Sequence, residues 1–195
     1  MARRTQAERS DTTTAELTAA ARRLFGEYGY AATSIDAVAQ AAGVTKGAAY
    51  HHFTGKPDLF RAVFVRELEE IAAKLEGMAF AESDSWSALR RGIRTFLEHC
   101  LDPGFRRIVL LDGPSVLGWE QVREIEYGHT LRVLLAGMQV AAADGNLDAG
   151  NLPARAQLMF GALCEGGMML ARSADPAADL PAIAAEADRL LDALR

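Results

Sequence analysis

The segment TSIDAVAQAAGVTKGAAYHHFTGK, which begins at Thr33, constrains the fold of this chain more than any other part of the sequence. Thr33 followed by Asp36 predicts a capping box at the start of a short helix. Gly43 predicts the end of that helix, because glycine adopts the left-handed conformation at little cost. Thr45 then predicts the cap of a second short helix, Lys46–His52. Two short helices joined by such a tight turn indicate a helix-turn-helix.

The second of these helices has the features of a helix that enters the major groove of DNA. Its first residues are small or polar, and Tyr50 and Phe53 lie at its end, where they can anchor it. A groove ~12 Å wide admits such a bare helix end, and hydroxyl and N–H groups at helix starts bind phosphate oxygens. We expect phosphate contacts from Thr33, Ser34, Thr45 and Lys56. We expect base contacts from Lys46, Gly47, Ala48, Tyr50 and His51.

The segment AVAQAAGVTKGAAYHHFTGKPDLF resembles the DNA-binding part of the tetracycline-repressor (TetR) family of bacterial transcriptional regulators. The preceding LTAAARRLFGEYGYAATS resembles the first helix of that family, so the resemblance covers about residues 12–64. Ala49 and Pro57 depart from the family pattern, which commonly has leucine at the first position and a helix-former or an acid at the second. The resemblance implies an all-α fold of about nine helices. Residues 1–56 would form a three-helix DNA-binding domain, and residues 57–195 a helical ligand-binding and dimerisation domain.

Charge is distributed unevenly along the chain. The formal net charge of −5 and a pI near 5.4 would by themselves argue against a protein that binds nucleic acid. Residues 1–56, however, hold seven Lys and Arg against five Asp and Glu, whereas residues 57–195 hold 14 against 21. The basic end is therefore the end with the motif. We expect DNA binding that relies on two copies and weakens steeply with salt.

The sequence predicts neither a secretory signal nor a membrane span. The first residues lack an apolar core, and the longest mildly apolar run, residues 133–143, is far shorter than the ~18 residues that a span needs. We therefore expect the protein in the cytoplasm. Residues 1–11, with Arg3, Arg4 and Arg9, predict a disordered tail; the alternative is an arm that reaches DNA beside the main site.

Helical spacing continues to the end of the chain, and no segment predicts a strand. A fourth helix would connect the two domains, with Glu67, Glu69 and Glu70 beginning its exposed face. The sequence Asp-Gly-Pro at residues 112–114 predicts the end of a short helix, and residues 119–143 predict a single long one.

Between residues 158 and 171, apolar or small side chains occupy nearly every direction of a predicted helix. A helix that is apolar all round is buried all round, so its second face predicts contact with another copy of the chain. The alternative is a helix in the core of a single chain. In the TetR family the equivalent helices form a four-helix interface, and the resemblance implies the same homodimer here. The expected interface residues are Phe160, Gly161, Gly167, Ala187, Leu191 and Leu194.

Two recognition helices related by a two-fold axis would read a palindromic operator, so a change in their spacing would release DNA. We expect a mid-sized, largely apolar effector to cause this change by wedging among the fifth to eighth helices. Glu126, His99 or His129 would serve as its polar anchor. The expected pocket residues are Trp86, Ile93, Phe96, Phe105, Ile108, Trp119, Glu126, Tyr127, Cys164 and Met168.

Other interpretations have less support. No paired His and Cys spacing favours a metal sensor built on His99, Cys100 and His129. Cys100 and Cys164 lie among apolar neighbours, which disfavours a redox sensor. No phosphate loop, nucleophile elbow, metal signature or acid–base pair indicates an enzyme, and no cofactor is expected. A DNA-binding dimer without an effector stays open as an alternative to the ligand-responsive repressor.

Overall fold

Helices make up all of the regular structure in the described part of the chain, as the sequence predicted. The computed structural model describes residues 6–78, 82 and 84–195. The N-terminal helices are α1 (Gln6–Ala32), α2 (Ile35–Ala41), α3 (Lys46–His52) and α4 (Lys56–Met78). They are followed by α5 (Ser85–His99), α6 (Pro103–Phe105), a π-helical segment (Arg106–Asp112), α7 (Gly113–Leu117), α8 (Trp119–Gly128), α9 (Thr130–Ala143), α10 (Leu152–Arg172) and α11 (Pro176–Asp192).

The first helix is longer than the sequence predicted. It begins at Gln6, so residues 6–11, which we expected to form a tail, are helical. Thr14, further along α1, lies against α3, with its Oγ1 3.0 Å from Nδ1 of His52. The basic groups of the proposed arm lie outside the part of the chain that the structure describes: Arg3, Arg4 and the side chain of Arg9.

A kink at Gly29 ends the straight part of α1. The φ of 81° favours glycine, because other residues rarely adopt this backbone conformation. Beyond the kink, the N–H of Tyr30 donates to Oδ2 of Asp112 at 2.8 Å, and Oγ1 of Thr33 donates back to the carbonyl of Gly29 at 2.9 Å. The exit of α1 is therefore fixed to the end of the π-helical segment.

The fourth helix, α4, joins the N-terminal helices to the rest of the molecule. It packs against α1 and also against α5 and α9. Phe60 of α4 closes an aromatic cluster with Phe25 and Tyr30 of α1, with ring centroids 5.1 Å from each. Glu67 is only 3% exposed, so the expectation that it begins an exposed face was wrong. It lies on the same buried stripe of the helix as Phe60 and Phe64, because residues three and four apart share a face.

Two helix boundaries differ from those predicted. The chain runs from α6 through the π-helical segment into α7 without a break at residues 112–114. Pro114 is accommodated because it lies in the first turn of α7, where a missing N–H is tolerated. The predicted single helix over residues 119–143 is divided at His129 (φ −119°, ψ −87°) into α8 and α9. Gly128, a poor helix former, immediately precedes that break.

One apolar core extends through the molecule. It includes Leu17 and Val38 of the N-terminal helices, Phe64 of α4 and Leu191 of α11. Among the residues described, no helix is long and apolar enough to cross a membrane. The same residues contain no group of three His, Cys, Asp or Glu side chains placed to hold a metal ion.

Candidate DNA-binding surface and ligand cavity

The helix-turn-helix forms as the sequence predicted, apart from its first cap. Oγ1 of Thr45 accepts a hydrogen bond from the N–H of Ala48 at 3.1 Å, which caps α3, and Gly43 lies in the turn with φ 71°. The cap of α2 is Ser34, whose Oγ accepts from the N–H of Ala37 at 3.1 Å. Ser34 and Thr45 are exposed at helix starts, where N–H groups attract anions, so their phosphate contacts stay predictions.

Thr33, expected to cap α2 and to contact phosphate, does not cap that helix and is not exposed. It is only 4% exposed, and its Oγ1 donates to the carbonyl oxygens of Gly29 at 2.9 Å and Leu24 at 3.2 Å. A buried hydroxyl that already donates its hydrogen has little to offer a DNA backbone. Thr33 instead stabilises the kink in α1.

The recognition helix α3 presents its first turn and one face to solvent. Ala48 on that side is half-buried. The opposite face is anchored by Ala49, which is fully buried. The departure from the family pattern at this position therefore lies in the core. The exposed residues of α3, whose base contacts stay predictions, include Lys46, Gly47, Tyr50 and His51.

Two lysine side chains bring positive charge to this surface, and each has a partner in the protein. Nζ of Lys46 lies 2.6 Å from Oδ2 of Asp36 in the first turn of α2, and this hydrogen bond raises the pKa of the lysine. Nζ of Lys56 donates to the carbonyl of Tyr30 at 3.0 Å and lies 4.2 Å from the centre of the Tyr30 ring. Lys56 is therefore held beside the exit of α1. Asp36, which sets the position of Lys46, was not among the predicted site residues.

A cavity of about 440 Å³ lies between α4, α5, α9 and α10. Its volume falls in the range of pockets that hold drug-sized molecules. Its walls are mostly apolar, and Ile93 and Phe96 are the predicted pocket residues that line it. The lining residues are Leu75, Glu76, Ser85, Ala88, Leu89, Gly92, Ile93, Phe96, Thr130, Val133, Leu134, Ala136, Gly137, Val140, Phe160 and Leu163.

The other eight predicted pocket residues do not line this cavity. Trp119, which is 62% exposed, and Tyr127 lie on the surface because α8 buries its Val122 and Ile125 face instead. A sequence cannot separate residues that fill a core from residues that bound a cavity, since both are apolar. The remaining six pack in or against the core: Trp86, Phe105, Ile108, Glu126, Cys164 and Met168.

Four of the six predicted interface residues are buried within the chain and offer no surface to a second copy. Phe160 lines the cavity. Gly167 is packed so closely that an added Cβ would come 3.1 Å from Sγ of Cys100. Ala187 and Leu191 belong to the buried core. These residues are apolar or small because they face the interior of their own chain.

The helices α10 and α11 nevertheless carry exposed apolar side chains. Leu158 is 77% exposed, and Met169 lies about three helical turns further along the same side of α10. Gly161 between them is open, since an added Cβ would meet no atom of the described residues within 4 Å, and the remaining predicted residue, Leu194, is half-buried. Leu190 is exposed on α11. We call this surface, formed by Leu158, Gly161, Met169 and Leu190, the apolar α10–α11 face.

An ion-pair network that the sequence did not predict joins α1, α4 and α6. Nε of Arg22 lies 3.0 Å from Oε1 of Glu67, and Nη2 of Arg22 lies 2.9 Å from Oδ1 of Asp102. Burial raises the pKa of Glu67, while the hydrogen bond and charge of Arg22 oppose that rise. Gly26 lets the helices approach closely, because a Cβ there would lie 3.0 Å from Cα of Gly104. We call Arg22, Glu67 and Asp102 the Arg22 junction.

The remaining polar candidates show the effects of burial. Burial raises the pKa of the Cys100 and Cys164 thiols to about 12, so both stay protonated at neutral pH and react poorly with oxidants. Burial also lowers the pKa of His99, whose ring centroid lies 4.5 Å from that of Phe105. These environments give redox sensing no support.

The carboxyl group of Glu126 is buried, so the cost of burying its charge can be measured. Nη1 of Arg123 lies 3.2 Å from its Oε2, but burial dominates and raises the pKa of the carboxyl group. A raised pKa means that the folded state holds the proton more tightly, so stability falls as pH rises from the unfolded pKa through the folded one. The free energy of unfolding of Glu126→Gln, relative to that of the parent, should therefore be higher at neutral pH than at about pH 4, as measured by urea unfolding. The same difference at both pH values would contradict this.

An exposed recognition helix, set on a helix-turn-helix and joined by a long helix to a second helical region, defines a DNA-binding protein of the helix-turn-helix class. The family model for bacterial regulatory proteins of the tetR family matches residues 17–63. The model for tetracyclin repressor-like C-terminal domains matches residues 86–194. The chain belongs to the TetR family: it is a DNA-binding transcriptional regulator and not an enzyme.

Individual relatives agree with this assignment. A TetR-family regulator from Pectobacterium atrosepticum is 33% identical, with a TM-score of 0.84 over 98% of this chain and 97% of that one. The TetC protein of transposon Tn10 from Escherichia coli is 34% identical over 120 residues, which is 62% of this chain. The chain spans 60% of the length of TetC. FadR from Bacillus subtilis, solved with stearoyl-CoA, has the same fold at 19% identity, with a TM-score of 0.73 over 93% of this chain and 99% of FadR.

Proposed function

We propose that this protein is a ligand-responsive repressor, which binds a palindromic operator as a homodimer and releases it when a mid-sized, largely apolar effector enters the cavity. Residues 1–56 would form the DNA-binding domain and residues 57–195 the regulatory domain. The protein would act in the cytoplasm, where the DNA that it regulates lies. The observation that carries the proposal is that α4 bounds the cavity at Leu75 and Glu76, while its first residue, Lys56, lies beside the DNA-binding helices.

The apolar α10–α11 face supports the homodimer. Exposed apolar side chains on two neighbouring helices mark an interaction surface, and a two-fold axis through that surface would bring the same patch of both copies together. The open backbone at Gly161 allows close approach of a second helix. The resulting four-helix interface would fix the distance between the two recognition helices, as a palindromic operator requires.

The α4 helix supplies the connection between effector and DNA. Leu75 and Glu76 line the cavity near one end of α4, and Glu67 in its middle is bonded to Arg22 of α1. An effector that displaces the cavity end of α4 would therefore shift the DNA-binding helices with it. Release requires that the effector binds the displaced conformation more tightly than the DNA-bound one. FadR, whose structure holds stearoyl-CoA, supports the idea that this fold can take a small molecule.

Lysine substitutions test the DNA-binding surface. Lys56→Ala should weaken binding to all sequences alike and reduce the slope of log affinity against log salt by about one, because it removes one charge near the phosphates. Lys46→Ala should instead change the preference among bases. Fluorescence anisotropy with specific and random duplexes over a salt series measures both effects.

Asp36→Asn is the complement of Lys46→Ala, since it removes the acidic partner of Lys46 and keeps the lysine. It frees Nζ of Lys46 from its 2.6 Å partner and removes a carboxylate from the DNA-facing side, so it should strengthen binding to every duplex. An unchanged salt slope for Lys56→Ala would contradict its phosphate role. If Lys46→Ala lost the same affinity for specific and for random DNA, Lys46 would contact only the DNA backbone.

A further inference from the structure

We infer that the effector is an uncharged molecule with a planar aromatic body and a hydrogen-bond donor. The inference rests on the proposed function, since it assumes that the cavity between α4, α5, α9 and α10 is the effector site. Three features of the lining carry it: the charges, the small residues on α5 and α9, and the hydrogen-bond acceptors.

The charges around the cavity disfavour an anion. Glu76 is the one charged side chain among the described lining residues, and its Oε1 lies 2.7 Å from Nη2 of Arg132. Arg132 does not line the cavity, and its Nε donates to the carbonyl of Gly128 at 3.2 Å. A carboxylate or phosphate group would therefore leave water for an apolar space without gaining a cation as partner. Such a transfer is strongly unfavourable.

Small residues line the cavity on two of its helices. Ala88 and Gly92 lie one turn apart on α5, and Ala136 and Gly137 lie on α9. Glycine inside a helix stabilises that helix less than alanine would, so the presence of glycine at position 92 needs an explanation. Among the described residues, no neighbouring helix needs the space, since the nearest atom to a Cβ at Gly92 would be Cδ2 of Leu75 at 4.0 Å. The missing methyl group at Gly92 therefore leaves room for a ligand.

The small residues on α5 and α9, set among larger apolar side chains, favour a flat ligand. A planar ring makes van der Waals contact over its whole face with such a surface, whereas a flexible chain loses rotational freedom when it is confined there. Phe96 and Phe160 add aromatic rings to the lining, which form favourable stacked or edge-on contacts with another ring. Shape and chemistry thus both indicate an aromatic body.

Two polar groups of the lining, on Thr130 and Glu76, offer acceptors. Oγ1 of Thr130 donates its own hydrogen to the carbonyl of Glu126 at 3.4 Å, which leaves its lone pairs for a ligand. The carboxylate of Glu76 can only accept. A phenol or an amide N–H on the effector would complement both groups.

Matched probes test the charge and the shape. 2-Naphthol and 2-naphthoate share a ring system and differ in charge, and 1-octanol is an uncharged aliphatic alcohol. Isothermal titration calorimetry on the full chain without DNA should show 2-naphthol binding about tenfold more tightly, or better, than either of the others. Equal or tighter binding of 2-naphthoate or 1-octanol would overturn the inference. A failure of 2-naphthol to bind at about 1 mM would also overturn the inference.

Gly92→Ala separates ligand space from a purely structural glycine. The added methyl group should raise Tm, because alanine favours the helix and meets no close neighbour, yet it should weaken 2-naphthol binding about fivefold or more by occupying cavity volume. Gly128→Ala at the end of α8 is the control, since a Cβ there meets no atom of the described residues within 4 Å and lies outside the cavity lining. It should leave the affinity unchanged. A Gly92→Ala protein that binds 2-naphthol as tightly as the parent, or has a lower Tm, would overturn the inference.

These measurements use no DNA, so they are independent of the test of effector control. If 2-naphthol binds as expected but does not dissociate a protein–operator complex, the ligand class stands and the proposed release mechanism fails. If operator release is driven by an anionic aromatic compound that occupies this cavity, the release mechanism stands and the ligand class fails.

Discussion

Leu158→Glu is expected to convert the proposed dimer to monomers and to abolish operator binding at concentrations that saturate the parent. Leu158 is largely exposed in the isolated chain, so the free energy of unfolding of one subunit should change by no more than about 0.5 kcal/mol. A two-fold interface contains the substitution twice, and a buried glutamate within it should raise the dimer dissociation constant about 100-fold or more. Sedimentation velocity over a concentration series measures this constant.

Leu158→Met is the matched control, since it keeps an apolar side chain of similar volume and should leave the dimer intact. Met169→Glu, on the same side of α10, should act like Leu158→Glu. Two glutamate variants that both remain dimeric at the concentrations of the parent would show that the apolar α10–α11 face is not the dimer interface. The proposed spacing of the recognition helices would then lose its basis.

Arg22→Met is expected to lower the free energy of unfolding by about 2–3 kcal/mol, at or below the lower limit of the range of about 3–5 kcal/mol for a broken buried ion pair. The loss arises because Glu67, which is buried in α4, would keep its charge without a partner. The value lies at the lower end because the Arg22 side chain is 40% exposed and water moderates its interactions. The destabilisation should shrink as pH falls, since protonation of Glu67 removes the unpaired charge.

The double variant Arg22→Met with Glu67→Met should recover most of this loss, because it replaces both charges with apolar groups of suitable size. Arg66→Met on the exposed side of α4 is the control: its pair with Glu70 is solvated, so a change within about 0.5 kcal/mol is expected. Urea unfolding of all four proteins measures these differences in the free energy of unfolding. A double variant no more stable than Arg22→Met alone would contradict the account of Glu67 as a buried charge held by Arg22.

The helix-turn-helix could be predicted because its signals are local. Gly43 turns the chain with positive φ, and Thr45 caps α3 through its neighbour three residues on; neither needs the rest of the fold. The first cap shows the limit of such signals. Thr33 and Ser34 are adjacent hydroxyls, and Ser34 caps α2 because the kink at Gly29 turns the side chain of Thr33 back into α1. That kink is fixed by the distant π-helical segment.

The cavity and the apolar α10–α11 face could be predicted only as properties of whole helices. The sequence identifies α10 as apolar on all sides, but the side of Phe160 lines the cavity while the side of Leu158 is exposed, and both are large apolar residues. Glu67 had a usable signal, since its spacing from Phe60 and Phe64 places it on the buried stripe of α4. Its partner, Arg22, lies 45 residues earlier and carries no local sign of the pairing.

Selection of random duplex DNA on the purified protein at ~0.15 M salt tests the central claim most directly, because weak attraction to phosphates is already reduced at that ionic strength. The account predicts enrichment of a palindrome whose half-sites are separated by about one turn of DNA or slightly more. The folded, dimeric protein should bind this palindrome and lose most of its affinity when the half-site spacing is changed. Recovery of no palindrome, or binding indifferent to that spacing, would contradict a dimeric operator-binding regulator.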